Sequence, residues 1–352
     1  MDHARFGLLA GHGVAEVRNS LNGLPPGWWA VVVTFEGAVT AIRFTDVGTA
    51  ETLEPVAPWP GLAGEWSTSL GREAYVGGVV EIRERIAAGT VYQVNLCRVL
   101  SQPIDSWPDL GALGRVLEQG NPAPYAGVID VRAAGVGAVC ASPELFLRIE
   151  GRTITSGPIK GTAPTPEELL EKDYAENVMI VDLVRNDLSH VCEPGTVSVD
   201  ALCALEHHPG LVHLTSYVSG TLRAEATWKD IMAATFPPGS VSGAPKSSAL
   251  RTIGDLETAA RGPYCGAIGW IDTRDPARTR AELAVGIRSF FVREGRDGLQ
   301  LCFGTGAGIT WGSDPEQEWA ETELKARRLI GLAEASTSAR GPEGAPTCGG
   351  PD

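Results

Sequence analysis

The apolar positions change period early in the chain. The run Trp28 to Phe35, the pair Glu36-Gly37 and the run Ala38 to Phe44 read as a β-hairpin closed by a short glycine-containing turn. Residues 46–69, rich in Pro, Gly, Thr and Ser, read as a loop. Tyr75, Val79, Ile82 and Ile86 then recur at spacings of four, three and four, which is one helical face, and Gly89 stands where that helix would end. A strand is predicted over Val91 to Leu100. Short apolar runs punctuated by glycine continue from Val128 to Ile154 and lead into the turn Pro158-Ile159-Lys160-Gly161-Thr162. A long helix is predicted next, with Thr165 as N-cap, Pro166 at its first position and Glu168 completing a capping box, and it should run to about Leu188. Residues 196–221 and 264–310 look β-rich, with helical stretches near 228–235 and 246–260 on either side of the loop Pro237 to Pro245. Asp314 and Pro315 open a last helix that continues past Lys325. Beyond Ala333 the small, polar, Pro- and Gly-rich residues read as a disordered tail. Strict βα alternation is missing, so the pattern indicates an α+β fold with large antiparallel sheets rather than a doubly wound one.

Composition narrows the class of function. The 352 residues carry a formal net charge of −14, with 29 scattered basic residues, and this argues against a nucleic-acid partner. Acidity does not forbid an anionic substrate, because a bound divalent cation can invert the field of a carboxylate-lined site. The seven cysteines, Cys97, Cys140, Cys192, Cys203, Cys265, Cys302 and Cys348, include no CxxC pair and read as reduced thiols. With no membrane-length apolar stretch and no signal-peptide pattern at Met1 to Leu9, the expected location is the cytoplasm.

Several residues could carry chemistry, and periodicity alone leaves two readings for most of them. Asp173 and Glu176 lie three apart on the long helix, as do Glu318 and Glu321 on the last one, so each pair shares a face. Such pairs are solvated surface charge, or together they hold a hard cation such as magnesium. Lys325, four after Glu321, is a helix-face ion-pair partner or a contact to a substrate carboxylate. Lys160, in its Pro- and Gly-bounded turn, is an exposed turn lysine or a rigidly held nucleophile. Gly304, Gly306 and Gly308 are not set in a βαβ unit, which excludes a dinucleotide fingerprint, and they suit a tight strand end or the close approach of backbone to a small anion. Adjacent His207 and His208 are poorly aimed as metal ligands, and His213 reads as a core histidine. A nucleophile elbow is absent.

Taken in order, the segments Val91 to Leu96, Ala141-Ser142-Pro143-Glu144, Pro158 to Thr162, Ala175 to Leu188, Val212-His213-Leu214, Pro237 to Lys246, Tyr264 to Gly269, Gly286-Ile287-Arg288, Gly306 to Ile309 and Glu318 to Lys325 resemble the chorismate-utilising enzymes. That family includes anthranilate, aminodeoxychorismate, isochorismate and salicylate synthases. The resemblance implies large antiparallel sheets packed as a sandwich with helices outside. It divides the chain into an abbreviated amino-terminal region (1–71) that lends strands, a chorismate-binding core (72–332) and the tail (333–352). By motif position Glu176 and Glu321 would ligate Mg²⁺, supported by Asp173 and Glu318. Tyr264, Arg288, Lys325 and the backbone of Gly306, Ala307 and Gly308 would bind substrate carboxylates, His213 would lie beside the ring, and Gly161 and Thr162 would touch substrate. Some relatives carry a water-activating lysine where Gln93 stands, and Gln93 cannot serve as a base near neutral pH. The resemblance therefore puts Gln93 on the ammonia side.

Lys160 replaces the alanine of anthranilate synthases and matches aminodeoxychorismate synthases. The implied chemistry is attack of Lys160 on C2 of chorismate while Glu144 protonates the departing C4 hydroxyl, followed by ammonia at C4. The product would be 4-amino-4-deoxychorismate. Ammonia would come from a separate glutamine amidotransferase subunit or from solution, and a separate aminodeoxychorismate lyase would release p-aminobenzoate, for folate or a specialised pathway. Departures from the family are Thr165 where relatives often carry arginine, a short segment between Thr162 and Asp173, and no segment recognisable as a tryptophan-binding regulator. The alternatives are an anthranilate or 2-amino-2-deoxyisochorismate synthase, and a non-catalytic chorismate-binding regulatory subunit.

Overall fold

A computed structural model describes residues 2–49, 57–208, 211–275, 278–295 and 298–336. Its elements in chain order are β1 (His3–Phe6), β2 (Leu9–Arg18), β3 (Trp28–Val33), β4 (Val39–Thr49), β5 (Ser67–Thr68), α1 (Arg72–Ala87), β6 (Gln93–Pro103), α2 (Leu110–Gly120), β7 (Tyr125–Val131), β8 (Val136–Ser142), β9 (Leu145–Glu150), β10 (Thr153–Gly157) and β11 (Ile159–Ala163). There follow α3 (Glu171–Ser189), β12 (Ser198–His208), β13 (Leu211–Thr221), α4 (Trp228–Thr235), β14 (Gly243–Ala244), α5 (Lys246–Leu256), β15 (Ala267–Asp272), β16 (Arg280–Val285), β17 (Ser289–Gly295), β18 (Gly298–Ile309) and α6 (Pro315–Glu334).

Pairing is antiparallel throughout. It runs from β12 through β13, β10, β9, β16, β15, β3, β4, β2, β1, β7, β8, β17 and β18 to β6. The sheet curls so that both arms share one apolar cluster, in which Trp28, Val31 and Phe44 meet Val99, Ile154, Val218 and Phe291. The helices lie outside. α3 packs on β13, α6 on β18, and α1 and α2 both pack on α6. This is the α+β fold the sequence indicated.

The predicted hairpin forms as β3 on β4, and α1 buries Tyr75, Val79 and Ile82 as its period required. Three expectations need correction. Residues 46–49 belong to β4 rather than a loop, because β2 pairs with them, Leu9 opposite Thr49 and His12 opposite Asp46. Pro166–Glu168 form only a 3₁₀ turn, and the long helix begins at Glu171, where the Asp173 carboxylate accepts the Leu170 N–H at 2.9 Å. The stretch expected to be helical to 260 ends at Leu256. The tail from residue 337 and the 50–56 segment lie outside the described residues. No helix among the described residues is long and apolar enough to cross a membrane.

One buried ion pair just past α5 ties that segment to β6, to the 3₁₀ turn at Gly239–Val241 and to the loop after β3. Arg261 grips both Glu257 oxygens at 2.6 and 2.8 Å, donates to the Val241 and Asn95 carbonyls, and lies 4.1 Å from the Phe35 ring centre. Glu257 in turn accepts the Cys97 N–H at 2.8 Å. Removing one partner of such a pair strands a buried charge, so Arg261→Met is expected to destabilise the protein by about 3–5 kcal/mol, with Arg261→Met/Glu257→Leu recovering part of it. Chemical denaturation of the three proteins measures both values.

Candidate active site

The residues picked out by sequence converge on one end of β18 and its neighbour β6. Strand alternation puts Gly304, Gly306 and Gly308 on one face. The Tyr264 ring lies against Gly304, the Cys97 thiol against Gly306, and a Cβ on Gly308 would stand 2.6 Å from the Gln93 amide nitrogen and 3.6 Å from Lys160 Nζ. These glycines therefore make room for side chains, not for a nucleotide. Ala307 points the other way into the apolar cluster with Tyr75 and Val79, so it can offer substrate only its main chain. Gln93 is 2 % exposed, and its carbonyl oxygen has no hydrogen-bond partner among the described residues.

Lys160 reaches this face because β11 leaves its regular register on β13 between Ile159 and Thr162. Gly161 supplies the positive φ of 81° within that irregularity and sits tight against Asp173 of α3. The result is a half-buried Lys160 that donates to the Ser240 carbonyl at 3.4 Å, rather than a turn lysine in solvent. Across β11, Thr162 Oγ1 is 2.7 Å from His213 Nδ1, which joins the turn to a buried histidine.

Glu144 sits in the short link between β8 and β9 and is 4 % exposed. Burial pushes its carboxyl up to about 7, while the Ser240 hydroxyl, Lys160, the Ile159 N–H and Arg288 hold it from going higher. A carboxyl so placed is half protonated near neutrality, as a general acid requires. Arg288 adopts a left-handed backbone with φ 51°, and burial lowers its ordinarily very high pKa, with Arg328 adding to the effect and Glu144 opposing it. Its strained backbone holds a guanidinium near the acid.

Glu176 of α3 and Glu318 and Glu321 of α6 supply oxygen donors. Burial raises Glu176 and Glu318, and the Glu321 charge raises both further. Burial also acts on Glu321, but Lys325, at 2.6 Å, turns the balance and lowers it. Lys325 donates as well to the Gly306 carbonyl at 3.1 Å, so it joins the carboxylates to the glycine strand. Hard oxygen donors that disfavour one another's ionisation fit a divalent cation. No three acidic, histidine or cysteine side chains among the described residues converge closely enough to ligate an ion alone, so substrate oxygens or water would complete the shell. One Asp173 oxygen is committed to capping α3, leaving the other for any supporting role.

Sequence reasoning missed Ser240, whose hydroxyl serves Glu144 and whose carbonyl serves Lys160. Its position inside the Gly/Pro/Ser loop was the available signal. Arg261, a lone arginine outside any motif, gave none.

The chain matches the chorismate binding enzyme family over residues 37–331. It is 39% identical to an anthranilate synthase component 1 of Thermus thermophilus, covering 79% of this chain and 62% of that one. It is 38% identical to its counterpart in Streptomyces coelicolor, covering 75% and 52%. The chain thus spans between half and two thirds of the length of these relatives. Among solved structures, a putative 2,3-dihydroxybenzoate-specific isochorismate synthase from Bacillus anthracis superposes with a TM-score of 0.76 at 23% identity, over 94% of this chain and 95% of that one. Anthranilate synthase component I from Streptococcus pneumoniae gives 0.72 at 24%, over 88% and 81%. These two likenesses carry the fold, and the sequence match carries the membership: the chain belongs to the chorismate-binding enzyme family.

Proposed function

We propose that the protein aminates chorismate at C4, giving 4-amino-4-deoxychorismate, with residues 72–332 carrying the chemistry. The observation that carries this reading is Lys160, drawn out of the β-ladder into a site it shares with Glu144, Gln93 and Gly308. As a free amine Lys160 adds to C2, both ring double bonds shift by one position toward C4, and the C4–O bond breaks as Glu144 gives its proton to the leaving hydroxyl. Ammonia then forms the C4–N bond while the C2–N bond to Lys160 breaks. The unpartnered Gln93 carbonyl is an acceptor suited to holding ammonia. Arg288, Lys325, Tyr264 and the backbone of Gly306 to Gly308 bind the substrate carboxylates, with Thr162 and His213 bounding the ring.

Glu176 and Glu321, supported by Glu318 and Asp173, would hold Mg²⁺, which when bound neutralises a substrate carboxylate. Glu176→Gln is expected to weaken Mg²⁺ binding by about 10–100-fold, taking outer-shell substitutions as a guide. Calorimetry in the presence of chorismate reads that change, and an unchanged affinity would remove Glu176 from the metal site.

A separate glutamine amidotransferase would supply ammonia, and an aminodeoxychorismate lyase would act downstream, toward p-aminobenzoate. Mixing the protein with chorismate and Mg²⁺ but no ammonia, then digesting it, tests the covalent step. The peptide containing Lys160 should gain chorismate less one water; its recovery unmodified under turnover-competent conditions counts against the route. A second reading, anthranilate synthesis by direct attack of ammonia at C2, is favoured by the names of the sequence relatives, which fit it better.

A further inference from the structure

Beside Glu144 lies a partly open cavity of about 20 Å³, lined in part by Glu144, Ser156, Val184, Asp187, Thr235 and Ser240. One water needs about 10–15 Å³ of such space and two or more polar partners, so the cavity accommodates a single molecule. Ser240, whose hydroxyl lowers the Glu144 carboxyl, lines it beside Glu144. Asp187, which lines it too, meets Lys246 Nζ at 2.7 Å, and both of these side chains are partly exposed. Nothing in the chemistry above uses Asp187 or Lys246.

The proton balance requires that Glu144 be reloaded. Breaking C4–O with proton transfer from Glu144 and forming C4–N from neutral ammonia leaves the product amine as its ammonium form. Each turnover therefore takes one proton from solution, and Glu144, buried and facing bound substrate, must regain it. The same holds whichever ring carbon takes nitrogen. We propose that the cavity holds one water that passes a proton from Asp187, through the Ser240 hydroxyl, to Glu144, so that Asp187 reloads the acid after each turnover. Asp187 touches no substrate and acts only through Glu144. Burial raises its carboxyl, opposed by Lys246 and His190, and the groups facing Glu144 are Lys160 and Arg288.

This inference rests on Glu144 being the general acid. Rapid mixing of the full chain with chorismate, Mg²⁺ and ammonium at about pH 6, below the Glu144 value of about 7, follows chorismate loss whatever the product. Asp187→Asn should show a burst, with the first turnover at the parental rate and later turnovers at least about tenfold slower, because Glu144 starts loaded and reloads slowly. Slowing of both phases together, or of neither, overturns the relay. Val184→Leu, which adds a methylene to the cavity wall and leaves both charges in place, should give the same burst. It decides the matter if Asp187→Asn does not fold, and parental turnover by a folded Val184→Leu overturns the proposal. A parental protein that consumes no chorismate would sink the functional reading itself.

Discussion

Lys160→Ala is expected to lower aminodeoxychorismate formation by on the order of 10³-fold or more, in line with removal of covalent nucleophiles elsewhere. On the proposed route, ammonia held near Gln93 would have both C2 and C4 open to it, and prior occupation of C2 by Lys160 would make C4 the site of displacement. Residual turnover in the variant should therefore place nitrogen at C2. Product analysis of the variant measures both the loss and the change of site. Aminodeoxychorismate at the parental rate would contradict the covalent route.

Glu144→Gln is the second large effect. General acids contribute about 10²–10⁴-fold, and Gln cannot donate the proton that lets the C4 hydroxyl leave as water. The pH dependence follows in sign. Glu144 must be protonated to act, and burial has raised it to about 7, while Lys160 must be a free amine, so the ratio of parental to Glu144→Gln chorismate kcat/KM isolates the acid: it should be flat below that value and fall about tenfold per unit above it. The measurement holds the concentration of free ammonia constant in both proteins. A variant with near-parental turnover, or a ratio indifferent to pH through this range, would remove Glu144 from the chemistry.

Much of the fold was legible because its signals were local and periodic: the two runs that become β3 and β4, the spacing of Tyr75, Val79 and Ile82, and the Asp314-Pro315 start of α6, whose carboxylate accepts the Glu316 and Gln317 N–H groups. Thr165 and Glu168 form a local signal that tertiary structure overrode, since their side chains bond one another at 3.2 Å and the helix takes Asp173 as its cap instead. The helix α2 escaped notice although Asp109 caps it and Leu110, Leu113 and Leu117 share its buried face. Two interior glycines weaken its apparent propensity, and Gly114 is there because a Cβ would press on Val128 at 2.5 Å.

For the site, spacing alone could not separate a surface lysine from a nucleophile at Lys160, or surface acids from metal ligands at Glu176 and Glu321. What bears on those readings is burial and long-range neighbours, such as the Ser240 carbonyl eighty residues away, and neither is written in local sequence. The family's ordered segments carried that information indirectly. Asp187 and Lys246 lie in two of those segments, yet their meeting at 2.7 Å is visible only once α3 and the start of α5 are in place.

The central claim is that nitrogen goes to C4. Purified protein is incubated with chorismate, Mg²⁺ and ammonium, and a lyase specific for aminodeoxychorismate is then added. Amination at C4 gives p-aminobenzoate that forms only after the lyase; fluorescent anthranilate forming without it would contradict amination at C4 and favour anthranilate synthesis.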